Sequence, residues 1–287
     1  MQTLTGELPL AISTNKGNLA KAICFINQKG GVGKTSCCFH LAGALAAAGK
    51  SVLVVDVDPQ GSVSQGFLGS ETVEQLRGTH CVAALYRDSW SIIDWSQLIH
   101  STGITGIDLC PANQTLAQFN TSSPESEGIA QYNLGEFLES QNRYDIVLVD
   151  CPPNLYRCSW SAMIAADHVL SPVTPEDFGT QGLRAVHQAI ENARMLNPRL
   201  SLLGHIVTRS DRRLLVHKFY EQRLRRSHGA TVLTNFLPEL SAFKLAVANR
   251  LPAEFYDNRC RAARLTRNLS REILDRMDET NSQRHVA

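Results

Sequence analysis

The sequence predicts an α/β fold in three layers, a mostly parallel, twisted sheet with helices on both faces. Three observations predict it. Short β-branched runs that are apolar at nearly every position recur along the chain, stretches of helical periodicity separate them, and the first run passes into a glycine-rich turn that opens a helix. A strand apolar at every position, not at alternate ones, is buried on both faces, as in a parallel sheet covered by helices.

In chain order, residues 1–20 read as a short, loosely ordered lead-in and 21–287 as a single domain. Strands are expected at Ala22–Ile26, Ser51–Asp56, Ile107–Cys110, Asp145–Asp150, His168–Val173, Leu202–Thr208 and Thr231–Leu233. Helices are expected after Lys34, Gln131, Leu155, Gly179 and Arg213. The Ser-, Pro- and Glu-rich segment Asn120–Gly128 reads as a surface loop.

Composition excludes several classes. No apolar run approaches the ~18 residues that a membrane span needs, and the first twenty residues lack the pattern of a secretory signal. The eight cysteines are scattered, without a CxxC pair or a cysteine–histidine cluster of ligand spacing. A reducing, cytoplasmic setting is expected, and zinc or iron–sulfur chemistry is not. The nine histidines are equally dispersed, and none is assigned a catalytic role.

The chemistry concentrates in the run Lys29-Gly-Gly-Val-Gly-Lys-Thr35. A strand, a glycine loop and a helix in succession form a phosphate cradle. Gly30, Gly31 and Gly33 let the backbone amides from Lys29 through Val32 to Ser36 turn inward, and the helix adds its positive end. Lys34 is placed to neutralise the β- and γ-phosphates and the Thr35 hydroxyl to ligate Mg²⁺. The fold class is therefore that of a P-loop nucleoside triphosphatase. Two acids, Asp56 and Asp58, end the run VLVVDVD, where alternation puts both on one side of the strand end to hold Mg²⁺ or orient water. Asp150 ends the apolar strand YDIVLVD in a Walker B arrangement and is expected to bind Mg²⁺ directly or through water. Pro152-Pro153 fix the loop that follows.

With Gln28 in place of the usual first glycine and Lys29 inside the loop, the motif resembles the deviant Walker A of ParA/MinD-type ATPases. VDVDPQGS and VDCPPNL resemble that family's DxDPQG and D-[CT]-P-P-[SN]-L motifs; LCPANQTLAQF (109–119), AADHVLSPVTPEDFGTQGL (165–183) and GHIVTRSD (204–211) resemble further segments of its ParA branch. The resemblance reaches from Ala22 to Met277. It implies that Lys29 crosses a dimer to the partner's phosphates, that Asp58 positions the attacking water with Asp56 supporting the metal shell, and that Cys151 is a packing residue. It also places Thr208, Asp211 and Pro238 in the base-recognition region. One departure bears on that last point: the family commonly has a Pro-Arg pair where Pro238-Glu239 stand here.

Charge is unevenly spread. The net charge is +1, yet Arg209–His228 carries +5 and Arg259–Arg276 carries +4. The family likeness implies non-specific DNA binding by an ATP-bound homodimer, release by a ParB-like activator, and a nucleoid-associated, cytoplasmic location. Arg212, Arg213, Lys218, Arg223, Arg225 and Arg226 are the candidate phosphate contacts. Val216, Tyr220 and Leu224 form the expected buried stripe of that helix. No long N-terminal helix-turn-helix region precedes the loop, so operator-specific binding is not expected. A MinD-like membrane cycle is the alternative, through the basic helix bearing Leu265, Leu269, Ile273 and Met277; that stripe also fits a closing core helix, and the membrane is not the expected partner. An electron-transfer ATPase resembling nitrogenase iron protein would need bridging cysteines, and Cys151 and Cys158 lack that context.

Overall fold

The computed structural model describes residues 19–87, 94–122, 130–175 and 180–286. The expected lead-in, save its last two residues, lies outside them, as do residues 123–128 of the expected loop and Gly179. Eight strands form one sheet: β1 (Lys21–Phe25), β2 (Val52–Asp56), β3 (His100–Ser101), β4 (Ile107–Cys110), β5 (Ile146–Asp150), β6 (His168–Val173), β7 (Ser201–Ser210) and β8 (Leu237–Pro238). Their spatial order is β3-β4-β2-β5-β1-β6-β7-β8. Every pairing is parallel except that of β3 with β4 at one edge.

Alternation within the strands divides the core into two. On one face Ala22, Cys24, Ile26, Leu53 and Val55 pack with residues of α4 (Asn133–Glu139), α5 (Arg157–Ala165) and α6 (Thr180–Arg194), including Phe137, Met163 and Ile190. On the other, Ile23, Phe25, Val52 and Val54 pack with α1 (Lys34–Ala47) and α10 (Arg261–Val286) through Phe39, Leu41, Leu269 and Ile273. Two apolar clusters with a sheet between them make the three layers. Close packing fixes one glycine: a Cβ on Gly43 of α1 would sit 2.2 Å from Cβ of Pro252, which leads into α9 (Ala253–Tyr256).

Further elements were not anticipated. The turn after Asp58 winds into α2 (Ser62–Leu68) and α3 (Ser70–Gln75), and α8 (Ser241–Ala248) follows β8. Thr231–Leu233 is not a strand. Gly229–Thr231 is a 3₁₀ turn, Val232 makes an isolated bridge with His205, and β8 forms five residues further on. Val232 and Leu233 are apolar because they are buried, not because they join a ladder. The stripe of α7 (Leu215–His228) also differs from expectation: Leu224 is buried, but Val216 is 51% exposed and His217 takes the inward place. On α10 the Leu269, Ile273 and Met277 stripe is buried and Leu265 packs against it. No helix among the described residues is long and apolar enough to cross a membrane.

Candidate functional site

Three neighbouring strands, β2, β5 and β1, deliver their carboxyl ends to one place. Phe25 pairs with Asp150 and Asp150 with Asp56, so the glycine loop after β1 lies beside both acids. Parallel sheets place ligand sites at such strand ends.

The loop is held from below and left open above. The Asn27 side chain donates to Pro172 O at 2.7 Å and accepts from the Lys29 amide at 2.9 Å. The buried Thr208 hydroxyl donates to Val32 O (2.7 Å) and Val173 O (3.0 Å), tying the loop to β6. Gly31 and Gly33 take φ of 73° and 88°, the left-handed region that favours glycine. Among the described residues, the amides of Gly30, Gly31, Val32 and Gly33 donate to no group. A row of free amides at a helix N-terminus fits an anion.

Lys34 is buried, and its ammonium donates to Asn27 O at 3.1 Å and Lys29 O at 3.4 Å. Burial lowers its pKa, and Asp150 is the foremost group opposing that. Asp150 is itself fully buried, and neither carboxylate oxygen has a hydrogen-bond partner of good geometry. Burial pushes its pKa up to about 7, with Asp58 adding to the rise and Thr35 and Lys34 countering it. A buried carboxylate with both oxygens unspent is costly unless a cation completes it. That observation fits the residues to a divalent metal, with Thr35 at the head of the same helix. Asp58, also buried, accepts from the Gln60 amide at 2.9 Å and lines the cavity.

Asp56 is differently employed. Its Oδ1 accepts from the Asp58 amide (3.0 Å), and its Oδ2 from the Ser64 amide (3.1 Å) and hydroxyl (2.7 Å). Both oxygens are occupied in shaping the turn into α2, so its expected support of a metal runs through that turn and not through a free lone pair. Burial, and then Asp150 beside it, raise its pKa.

Lys34, Thr35 and Asp58 line a cavity of about 560 Å³, the volume of a small cofactor site, and the buried Asp56 and Asp150 are not part of its wall. Gly30–Cys37, Asp58, Pro153 and Thr208 form one wall, and Arg209, Leu237–Leu240 and residues of α8 the other. Pro238 lines it. Asp211 does not: it lines a neighbouring cavity and is clasped by Arg213, with Oδ2 2.7 Å from Nη2. Lys29 is exposed, and its side chain is outside the wall of its own cavity.

Two site residues escaped sequence reasoning. Arg209 donates from Nη1 to Gly31 O (2.8 Å) and from Nε to Glu239 Oε2 (3.1 Å), strapping the loop to the far wall. It does so from φ 52°, a strained position for a side chain larger than glycine. Glu239, the departure from the family pattern, also pairs with Lys244 at 2.6 Å. The only available signal was that departure.

Of the candidate DNA contacts, Lys218, Arg223 and Arg226 are exposed, and their side chains make no hydrogen bond or ion pair among the described residues. Arg212 stacks 4.0 Å from the centre of the Phe236 ring, and Arg213 holds Asp211. Arg225 is spent internally, on Glu221 and Leu233 O at 3.0 Å each. All eight cysteines are free, seven of them buried, and burial raises the pKa of Cys151 far above the ordinary thiol value.

A family profile described as an AAA domain matches residues 20–202. The "Chromosome partitioning protein ParA" of Caulobacter vibrioides is 33% identical over 263 residues, covering 90% of this chain and 96% of that one. The "Chromosome-partitioning ATPase Soj" of Thermus thermophilus is 34% identical over 266 residues, covering 90% and 97%. Among solved structures, cobyrinic acid a,c-diamide synthase of Mycobacterium smegmatis with a bound ATP analogue and magnesium superposes with a TM-score of 0.73 at 24% identity. It covers 89% of this chain and 94% of that one.

Proposed function

Since the chain belongs to the AAA-domain family of ParA/Soj-type partition ATPases, we propose that it binds ATP with Mg²⁺ and hydrolyses it slowly, as a switch for segregating or positioning a cargo. The observation that carries the reading is the bare, buried Asp150 carboxylate beside Lys34 under a loop of free amides. A solved structure of this fold holds an ATP analogue and magnesium, which supports the cofactor pair.

In this reading residues 21–287 act as one domain. The amides of Gly30 to Ser36 cradle the phosphates, and Lys34 exchanges two carbonyl contacts for the β- and γ-oxygens. Thr35 and Asp150 would hold Mg²⁺, which when bound would supply positive charge to neutralise the phosphates. Asp58 orients the attacking water, and Asp56 holds the Asp58 turn in place. Thr208 supports the loop from beneath. Pro238 bounds the base, whereas Asp211 acts only if Arg213 releases it. Lys29 lies free to complete a second subunit's site in an ATP-bound homodimer; such a cation supplied in trans is worth ~10³–10⁵ in rate in related enzymes.

The partners follow the family: non-specific DNA met by Lys218, Arg223 and Arg226, a ParB-like activator, and a cytoplasmic, nucleoid-associated setting. The MinD-like membrane alternative is disfavoured because the α10 stripe it needs is buried against α1 and the sheet. Phosphate release from Mg²⁺-ATP by purified protein tests the reading. Turnover that Lys34→Ala abolishes supports it, and turnover indifferent to Lys34→Ala refutes it.

A further inference from the structure

Three histidines far apart in sequence meet on the face of the sheet away from α1. His187 lies on α6, His205 in the middle of β7 and His228 at the last residue of α7. One ring nitrogen of each lies within 4.8 Å of the others, the only such metal-holding group among the described residues. Nε2 of His187 and Nε2 of His205 face each other at 3.1 Å.

We propose that these three imidazoles form a binding site for a borderline-soft divalent cation of the zinc class, separate from the Mg²⁺ site. The distances favour it. Zinc–nitrogen bonds of 2.0–2.1 Å at tetrahedral angles set ligand nitrogens roughly 3.3–3.4 Å apart, so the His187–His205 pair is already near ligating separation. His228, half-buried at a helix end, has ~1.4 Å or less to travel by the same rule. His205 has no exposed surface, and its Nε2 contact with His187 is a hydrogen bond between two rings that a cation held by both nitrogens would replace. The negative C-terminal end of α7 lies at His228 and favours a cation there.

Three histidines leave a fourth position open. His187 and His228, but not His205, line a cavity of about 250 Å³ together with Arg184, Arg223 and Ser227. The two arginines oppose a bare cation but favour an anionic fourth ligand such as hydroxide. Filling the site would fasten the end of α7 to α6 and β7.

The test uses the full chain without nucleotide, in excess Mg²⁺ to occupy the carboxylate site, titrated with Co²⁺. The expected result is one Co²⁺ per chain with the intense visible bands of tetrahedral coordination. His187→Gln and His228→Gln, each folded by circular dichroism, should each weaken binding more than ~100-fold, beyond the cost of losing a merely supporting partner. Absence of bound Co²⁺, bands unchanged in both variants, or a thiolate charge-transfer band marking cysteine ligation would each overturn the proposal. None of these outcomes depends on ATP hydrolysis.

Discussion

The nucleotide cavity and the α7 face both carry charge and hold it in opposite ways. At the cavity Lys34, Asp58 and Asp150 are buried, and neither oxygen of Asp150 has a hydrogen-bond partner of good geometry among the described residues. On α7 the charges of Lys218, Arg223 and Arg226 stand in solvent, and the apolar Leu215, Val216 and Phe219 are exposed beside them. The first region is pre-organised at a cost in stability; the second is cheap and adaptable. A site that must recognise one ligand geometry is built in the first manner. A surface that meets a uniform polyanion needs only the second.

The largest effect is expected at Lys34. Removing its charge-assisted contacts by Lys34→Ala should weaken ATP binding by ~10²–10⁴-fold, read by calorimetry. Near-normal affinity would break the comparison at its root. Asp58→Ala should keep ATP and trap the bound state while slowing hydrolysis by ~10²–10⁴-fold; unchanged phosphate release would remove its water-positioning role.

On α7, charge changes should act more weakly and additively. Lys218→Ala, Arg223→Ala and Arg226→Ala together should flatten the salt dependence of DNA affinity by about three units of slope. Arg225→Ala should leave that slope alone and lower thermal stability, because its guanidinium is committed to Glu221 and Leu233 O. A slope change at Arg225 equal to the others would show that the internal pairing is not retained on DNA.

The smallest effect expected concerns the cost of pre-organisation. The Asp150 pKa is raised on folding, so below the ordinary carboxylate range the group is neutral in both states and costs nothing. As pH climbs towards about 7 the unfolded chain ionises it first, and stability falls. Asp150→Asn should therefore raise the melting temperature of nucleotide-free protein by several degrees at pH 8 and by little at pH 4. Equal changes at both pH values would contradict the burial argument.

The same contrast explains what was legible in sequence. Asp58 and Asp150 stand at the ends of apolar runs and Lys34 opens the helix after the glycine loop, so position along the motif plus residue type makes all three legible. Arg209 and Glu239 meet across thirty residues, through a left-handed backbone at Arg209 that no local pattern announces. The misplaced last strand has a related cause, since buried apolar residues outside a ladder look the same in sequence as those within it. On α7, helical spacing correctly identified Leu224 but not that Val216 faces water. The angle at which a helix lies on a sheet is set by its neighbours. The three histidines are invisible to spacing altogether, because α6, β7 and α7 bring them together only in the fold.

The central claim is that the nucleotide site is shared between two subunits through Lys29. Phosphate release per molecule, measured against protein concentration at saturating Mg²⁺-ATP, tests it most directly. The account predicts that turnover per molecule rises with concentration to a plateau, and that Lys29→Gln binds ATP normally yet stays at the low level throughout. Turnover independent of concentration and retained in Lys29→Gln would contradict it.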